Sequence, residues 1–156
     1  MPVLAHRRDE IEQLCAKYPS RRSALLPVLW IIQEQEGWIS QEAMREAGEI
    51  IGCTAAEVYE VVSFYTMYNQ RPTGRHHIQF CHTLSCAICG AHEAVEYIRE
   101  KFNFDHGAAI SRDARFSIIE VECIGACSDA PAMLVGEVLY GDLTPESIDA
   151  ILAQHP

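Results

Sequence analysis

No glycine-rich phosphate loop occurs in this chain. Neither G-x-G-x-x-G nor G-x-x-x-x-G-K-S/T can be found, so the usual ways of cradling a nucleotide are missing. No Ser/His/Asp signature suggests hydrolysis. Long apolar runs are absent too: the longest, Ala24 to Ile32, covers nine residues and contains Pro27, which is far too short to span a bilayer. Positive charge is scarce, with 12 Lys and Arg against 22 Asp and Glu and a formal charge of -10. That balance argues against nucleic acid, whose backbone asks for clustered Lys and Arg, and against an anionic membrane surface. The first residues, Met1-Pro2-Val3-Leu4, run straight into His6-Arg7-Arg8-Asp9 without the basic region and apolar core of an export signal. The expectation is a cytosolic protein, in which seven cysteines read as thiols or metal ligands rather than a disulfide framework.

Apolar residues make up 49% of the 156, enough for one ordinary core or two small ones. The first half reads as helices. Ile11, Leu14, Cys15 and Tyr18 recur with helical spacing, which places Cys15 in a core. A second helix is expected from about Ser23 to Glu36, with Pro27 tolerable in its first turn and Gly37 as its stop. Ser40 caps a third, with Met44, Ala47 and Ile51 on one face and Gly52 closing it. Thr54-Ala55-Ala56-Glu57 is a capping box opening a fourth, whose stripe is Val58, Val61, Val62 and Tyr65. Cys53 falls between the last two and reads as structural. Trp38, Phe64, Tyr65 and Tyr68 divide between core packing and a face for a partner protein.

Arg71-Pro72-Thr73-Gly74 is rich in turn formers and marks a boundary, so domains 1-73 and 74-156 are expected. Beyond it the pattern becomes strand (about His76 to Cys81), helix (about Ala87 to Phe102), strand (about Phe116 to Cys123), hairpin and helix. Gly136 fits the first position of a type II′ turn between Met133 and Tyr140, and Thr144-Pro145 opens the last helix, with Ile148, Ile151 and Leu152 facing inward. The fold class is α+β: an N-terminal helical bundle followed by a β-α-β-β domain of thioredoxin-like arrangement.

Both strands that precede the cysteines end at one. If they are parallel neighbours joined by a helical crossover, their carboxyl ends emerge at the same sheet edge and their thiols meet there. Five cysteines compete for four places. Cys81, Cys86 and Cys89 with a distant fourth copy a C-x4-C-x2-C spacing of plant-type ferredoxins. Cys86 and Cys89 with Cys123 and Cys127 resemble two zinc knuckles, although the second hook is C-x3-C. The third set is Cys81, Cys86, Cys123 and Cys127. The helical stripe Ile88, Ala91, Val95, Ile98, Phe102 puts Cys89 on a helix leaving the loop, which favours the third set and leaves the others open. A redox dithiol at Cys86 and Cys89 is a further reading. His82 alone cannot make a Rieske site, which needs two histidines. Asp129-Ala130-Pro131 reads as a turn aiming its loop back over the site.

Cys81-His82-Thr83-Leu84-Ser85-Cys86-Ala87-Ile88-Cys89-Gly90-Ala91 and Val121-Glu122-Cys123-Ile124-Gly125-Ala126-Cys127-Ser128-Asp129-Ala130-Pro131 closely resemble the cluster signature of the small 2Fe-2S subunit of bacterial NADH:quinone oxidoreductase, respiratory complex I. Pro27 to Gln33, Gly37-Trp38-Ile39 and Val62-Ser63-Phe64-Tyr65 agree as well, so the likeness runs from about Tyr18 to Leu152. The resemblance implies a thioredoxin-like cluster domain. It implies one 2Fe-2S cluster held by Cys81, Cys86, Cys123 and Cys127, with no catalytic residue in this chain. It also implies a flavoprotein partner that binds FMN and NADH, and a cytoplasmic position peripheral to the inner membrane. The family does not require a cysteine at the position of Cys89. The equivalent diaphorase subunit of an NAD-linked hydrogenase or formate dehydrogenase is the alternative within the class. Outside it stand a thiol-disulfide oxidoreductase and a zinc-stabilised module.

Overall fold

The computed structural model describes residues 4–156. The reading of Met1-Pro2-Val3 as lacking an export signal lies outside them. The chain divides into two compact units, one ending at Pro72 and the other spanning Thr73–Pro156.

The first unit holds helices α1 (Arg8–Cys15), α2 (Leu25–Glu36), α3 (Gln41–Ile51) and α4 (Ala55–Phe64). Local signals set their ends. Ser40 Oγ accepts the Ala43 amide, and Thr54 and Glu57 close a reciprocal capping box. Gly37 and Gly52 stop α2 and α3 in the left-handed conformation, at φ 77° and 84°. Residues 21–24 form a 3-10 turn rather than the start of α2, so Pro27 falls in the first turn, where its missing N–H breaks no helix bond. The core is Ile11, Cys15, Val28, Leu29, Ile32, Ala47, Ile51, Val58, Val62 and their neighbours, with Cys53 packed at its margin. Two stripe expectations are corrected. Helices α1 and α4 end before Tyr18 and Tyr65, leaving both rings more than a third exposed. Of the aromatics, Tyr68 is buried and donates its hydroxyl to Leu26 O at 2.8 Å, whereas Phe64 is 77% exposed.

In the second unit, strands β1 (His76–Cys81), β2 (Phe116–Val121), β3 (Met133–Val135) and β4 (Val138–Tyr140) form one sheet in the order β2-β1-β3-β4. β1 and β2 are parallel, with His76 opposite Phe116 and Cys81 opposite Val121, so their ends leave the sheet at one edge. β3 runs antiparallel to β1, and β4 antiparallel to β3 through a two-residue turn in which Gly136 has φ 60°. The expected single helix after Cys86 is two: α5 (Leu84–Ile88) and α6 (Ala91–Lys101), broken where Gly90 takes φ 88°. Cys89 therefore ends α5 instead of riding a departing helix, and Ile88, assigned inward by periodicity, is 77% exposed. Strand β2 stops two residues short of Cys123. Helix α7 (Pro145–Ala153) opens on the Thr144 capping box and buries Ile148 and Leu152. Ile78, Phe80, Val95, Ile98, Phe116, Ile118 and Met133 complete this core. The connection at 103–115, without a motif in sequence, folds along β2: Ile118 N donates to Ala109 O, and Ser111 Oγ receives the Phe116 amide.

Candidate metal centre

Cys81 is the last residue of β1 and Cys86 lies in α5; both are at most 2% exposed. Cys123 and Cys127 follow β2 on a loop that remains exposed to solvent. Cys127 opens a 3-10 turn over Cys127–Asp129, and its sulfur stands 3.6 Å from that of Cys123. Two backbone ties carry the second loop to the first sheet edge: Cys81 N donates to Ala132 O, and His82 N to Val121 O. Gly125, at φ 81°, turns its amide onto Cys123 Sγ at 3.4 Å.

The sulfurs influence one another's protons. Burial pushes the Cys81 thiol up, but hydrogen bonds from the Thr83 hydroxyl and amide, from Cys86 and from the Ile124 amide outweigh it, and its pKa ends below the ordinary value. Burial, with Cys81 as its second cause, pushes Cys86 up to about 11. Cys127 is raised chiefly by its bond with Cys123, against a lowering bond from Ser85. Within the inner pair the Cys81 thiol is thus shifted down and its neighbour up, the behaviour of adjacent acidic groups.

Among the described residues no three His, Cys, Asp or Glu side chains converge on one point as a mononuclear ion requires. The thiols stand instead as two pairs, Cys81 with Cys86 and Cys123 with Cys127. Two adjacent pairs suit a two-iron cluster, in which each iron takes two thiolates. The donor set and the amides aimed at it fit that group better than a single tetrahedral zinc.

The redox dithiol reading of Cys86 and Cys89 meets a contrary geometry. Such a motif works by depressing the pKa of its first thiol. Cys86 is buried and raised, while Cys89 is exposed. His82 is an exposed loop residue with Nε2 3.5 Å from Glu122 Oε1. Sequence reasoning missed Thr83, whose hydroxyl oxygen lies 3.3 Å from Cys81 Sγ, and Ser85, whose side chain lowers the pKa of Cys127. A threonine two residues after a strand-ending cysteine reads as an ordinary helix cap, and only the side-chain geometry, with no cap bond and a contact to sulfur, distinguishes it.

A β-α-β-β sheet with paired cysteines at one edge defines a class, and the family model for thioredoxin-like 2Fe-2S ferredoxins matches residues 11–155. An E-type NADH-quinone oxidoreductase subunit of Rhizobium meliloti is 37% identical, over 93% of this chain and 86% of that protein. NADH-quinone oxidoreductase subunit 2 of Thermus thermophilus is 39% identical, over 94% and 82%. A crystal structure of an NAD+-reducing NiFe-hydrogenase shares the fold with a TM-score of 0.70 over 85% of this chain and 23% of the longer one, at 24% identity. The chain belongs to the thioredoxin-like 2Fe-2S ferredoxin family, in the group of the small NADH-quinone oxidoreductase subunits, and its cofactor is a 2Fe-2S cluster.

Proposed function

We propose that Cys81, Cys86, Cys123 and Cys127 hold the cluster, and that the chain is the electron-transfer subunit of an NADH:quinone oxidoreductase. In that assembly it takes electrons from the FMN of the NADH-oxidising flavoprotein. The observation that carries the ligand set is the meeting of two cysteine pairs at one sheet edge, with Cys89 turned to solvent. The cluster supplies one-electron redox chemistry, which a flavin can feed singly after accepting a hydride's two electrons.

The chain's own residues do the rest. Cys81 and Cys86 shield the inner side from water, and the exposed Cys123 and Cys127 leave the opposite side open to a partner's redox centre. The Gly125 amide and the ties around Ala132 hold the loops so that little reorganises when charge changes. The helical unit before Arg71-Pro72 contains no such ligand set and acts as the docking element. Among the described residues no helix is long and apolar enough to cross a membrane, and association with the inner membrane runs through the parent complex. Identities of 37% and 39% to the oxidoreductase subunits favour this assignment over a hydrogenase or formate dehydrogenase diaphorase.

Metal and sulfide analysis of anaerobically purified chain tests the cluster, with about two irons and two sulfides per chain expected. Co-expression with the flavoprotein tests the partner: a stable heterodimer carrying flavin is expected, and failure to associate would refute that half of the reading.

A further inference from the structure

We propose that Thr83 and Ser85 are positioning residues that set the cluster's reduction potential, by donating hydroxyl hydrogen bonds to Cys81 Sγ and Cys127 Sγ. This rests on the ligand set proposed above.

Thr83 occupies the N-cap of α5, with φ -74° and ψ 172°, where a threonine normally accepts an amide of its own helix. It makes no such bond. Its hydroxyl oxygen lies 3.3 Å from Cys81 Sγ instead. Between a hydroxyl and a free thiol either group can donate. Once the sulfur is a metal-bound thiolate only the hydroxyl has a proton to give, so the direction becomes unique. Ser85, two residues on in α5, lowers the pKa of Cys127 in the second cysteine loop through its side chain, and the same donation is assigned to it. Each thiol pair is thus assigned one hydroxyl.

A hydrogen bond to an ionised acceptor strengthens as the acceptor gains negative charge. Reduction of the cluster adds one electron, shared partly by its sulfurs, and no bond to the protein forms or breaks. The two hydroxyls hence favour the reduced form and raise the potential, one of the levers a protein has over such a group. A chain with a formal charge of -10 has a particular use for it, because its background field opposes added negative charge.

The test uses the full-length, cluster-loaded chain, comparing Thr83→Val, Thr83→Ser and Ser85→Ala with the parent. Midpoints come from dye-coupled redox titration followed by visible absorption. Resonance Raman in H2O and D2O reports hydrogen bonds to the iron-bound sulfurs. Thr83→Val should move the equilibrium with the dye several-fold toward the oxidised cluster, the difference in that bond's strength between the two redox states, with the full weight of one bond to a charged group, about tenfold or about 59 mV for one electron, as the ceiling. It should also reduce the deuterium sensitivity of the iron–sulfur bands. Thr83→Ser should restore both, and Ser85→Ala should lower the potential independently. Should Thr83→Val fail to assemble, Ser85→Ala and Thr83→Ser still decide the matter. Loaded variants lacking either hydroxyl but keeping the parent potential and deuterium shift would overturn the inference. Failure of the ligand set itself would appear elsewhere, as Cys81→Ser or Cys127→Ser chains with an unaltered cluster spectrum.

Discussion

Replacing Gly141 with alanine should loosen the loop that carries Cys127, although Gly141 is far from it in sequence. A Cβ at this position would sit 2.5 Å from Asp129 Cβ and 2.7 Å from Asp129 O. Ordinary carbon contacts lie at about 3.5–4.0 Å, so the two segments must part by about 1 Å. Gly141 follows β4, which the sheet holds, whereas Asp129 ends the exposed 3-10 turn begun by Cys127. The turn is the side that yields. Overpacking costs about 1–3 kcal/mol, and losing the Asp142 N–H bond to Asp129 O, at 2.6 Å, adds about 0.5–1.5 kcal/mol. The restricted unfolded chain returns about 0.4–1 kcal/mol. A net loss of about 1–4 kcal/mol is expected in urea denaturation of the metal-free, reduced chain. The loaded protein should also lose its visible absorption faster in air. Gly136→Ala is the control: no heavy atom lies within 4 Å of its Cβ, so only the positive φ opposes it, at about 1 kcal/mol, and the cluster should keep its parent lifetime. Gly141→Ala with parent stability and parent cluster lifetime would refute the reasoning.

Serine at Cys81, Cys86, Cys123 or Cys127 should abolish or strongly perturb the visible spectrum, while Cys89→Ser leaves it nearly unchanged; the reverse pattern would break the proposed ligand set. Thr54→Ala should cost about 1 kcal/mol through its capping box, measured by denaturation. The Glu57 carboxyl in that box is held at about 2, first by the Thr54 amide and then by Arg22 and the Thr54 hydroxyl. Because its folded pKa lies below the unfolded one, this stabilisation is present above the ordinary value of 4.5 and is lost as pH falls toward 2; Glu57→Gln should flatten the acid limb in that window. The purified, flavin-free chain should not consume NADH, yet a strong chemical reductant should bleach it, and substantial turnover would make it an enzyme by itself. A fragment beginning at Thr73 should keep its cluster and bind the flavoprotein poorly, and undiminished assembly would remove the docking role of the helical unit.

Much of both units is legible because their signals are local. A period of two in Ile78 and Phe80 marks β1, and Phe116 to Val121 marks β2; hydroxyl residues at 40, 54 and 144 mark helix starts through bonds to amides only three residues away. Pairing these strands in parallel, through a helical crossover, then brings their carboxyl ends and the cysteines that follow them to one sheet edge. The break at Gly90 was not legible. Ile88, Ala91, Val95 and Ile98 keep helical spacing across it, and periodicity cannot register that the chain turns at a left-handed glycine and leaves Ile88 outside.

The chain's local chemistry by itself determined the kinds of donor, their spacing and the elements that deliver them, since caps, turns and alternation act over a few residues. Tertiary structure alone decided which thiols are buried and which face water, and that Tyr68 enters a core while Phe64 does not. Those outcomes depend on atoms brought together from distant positions, as when Ala132 receives the Cys81 amide, and no window of neighbouring residues contains them.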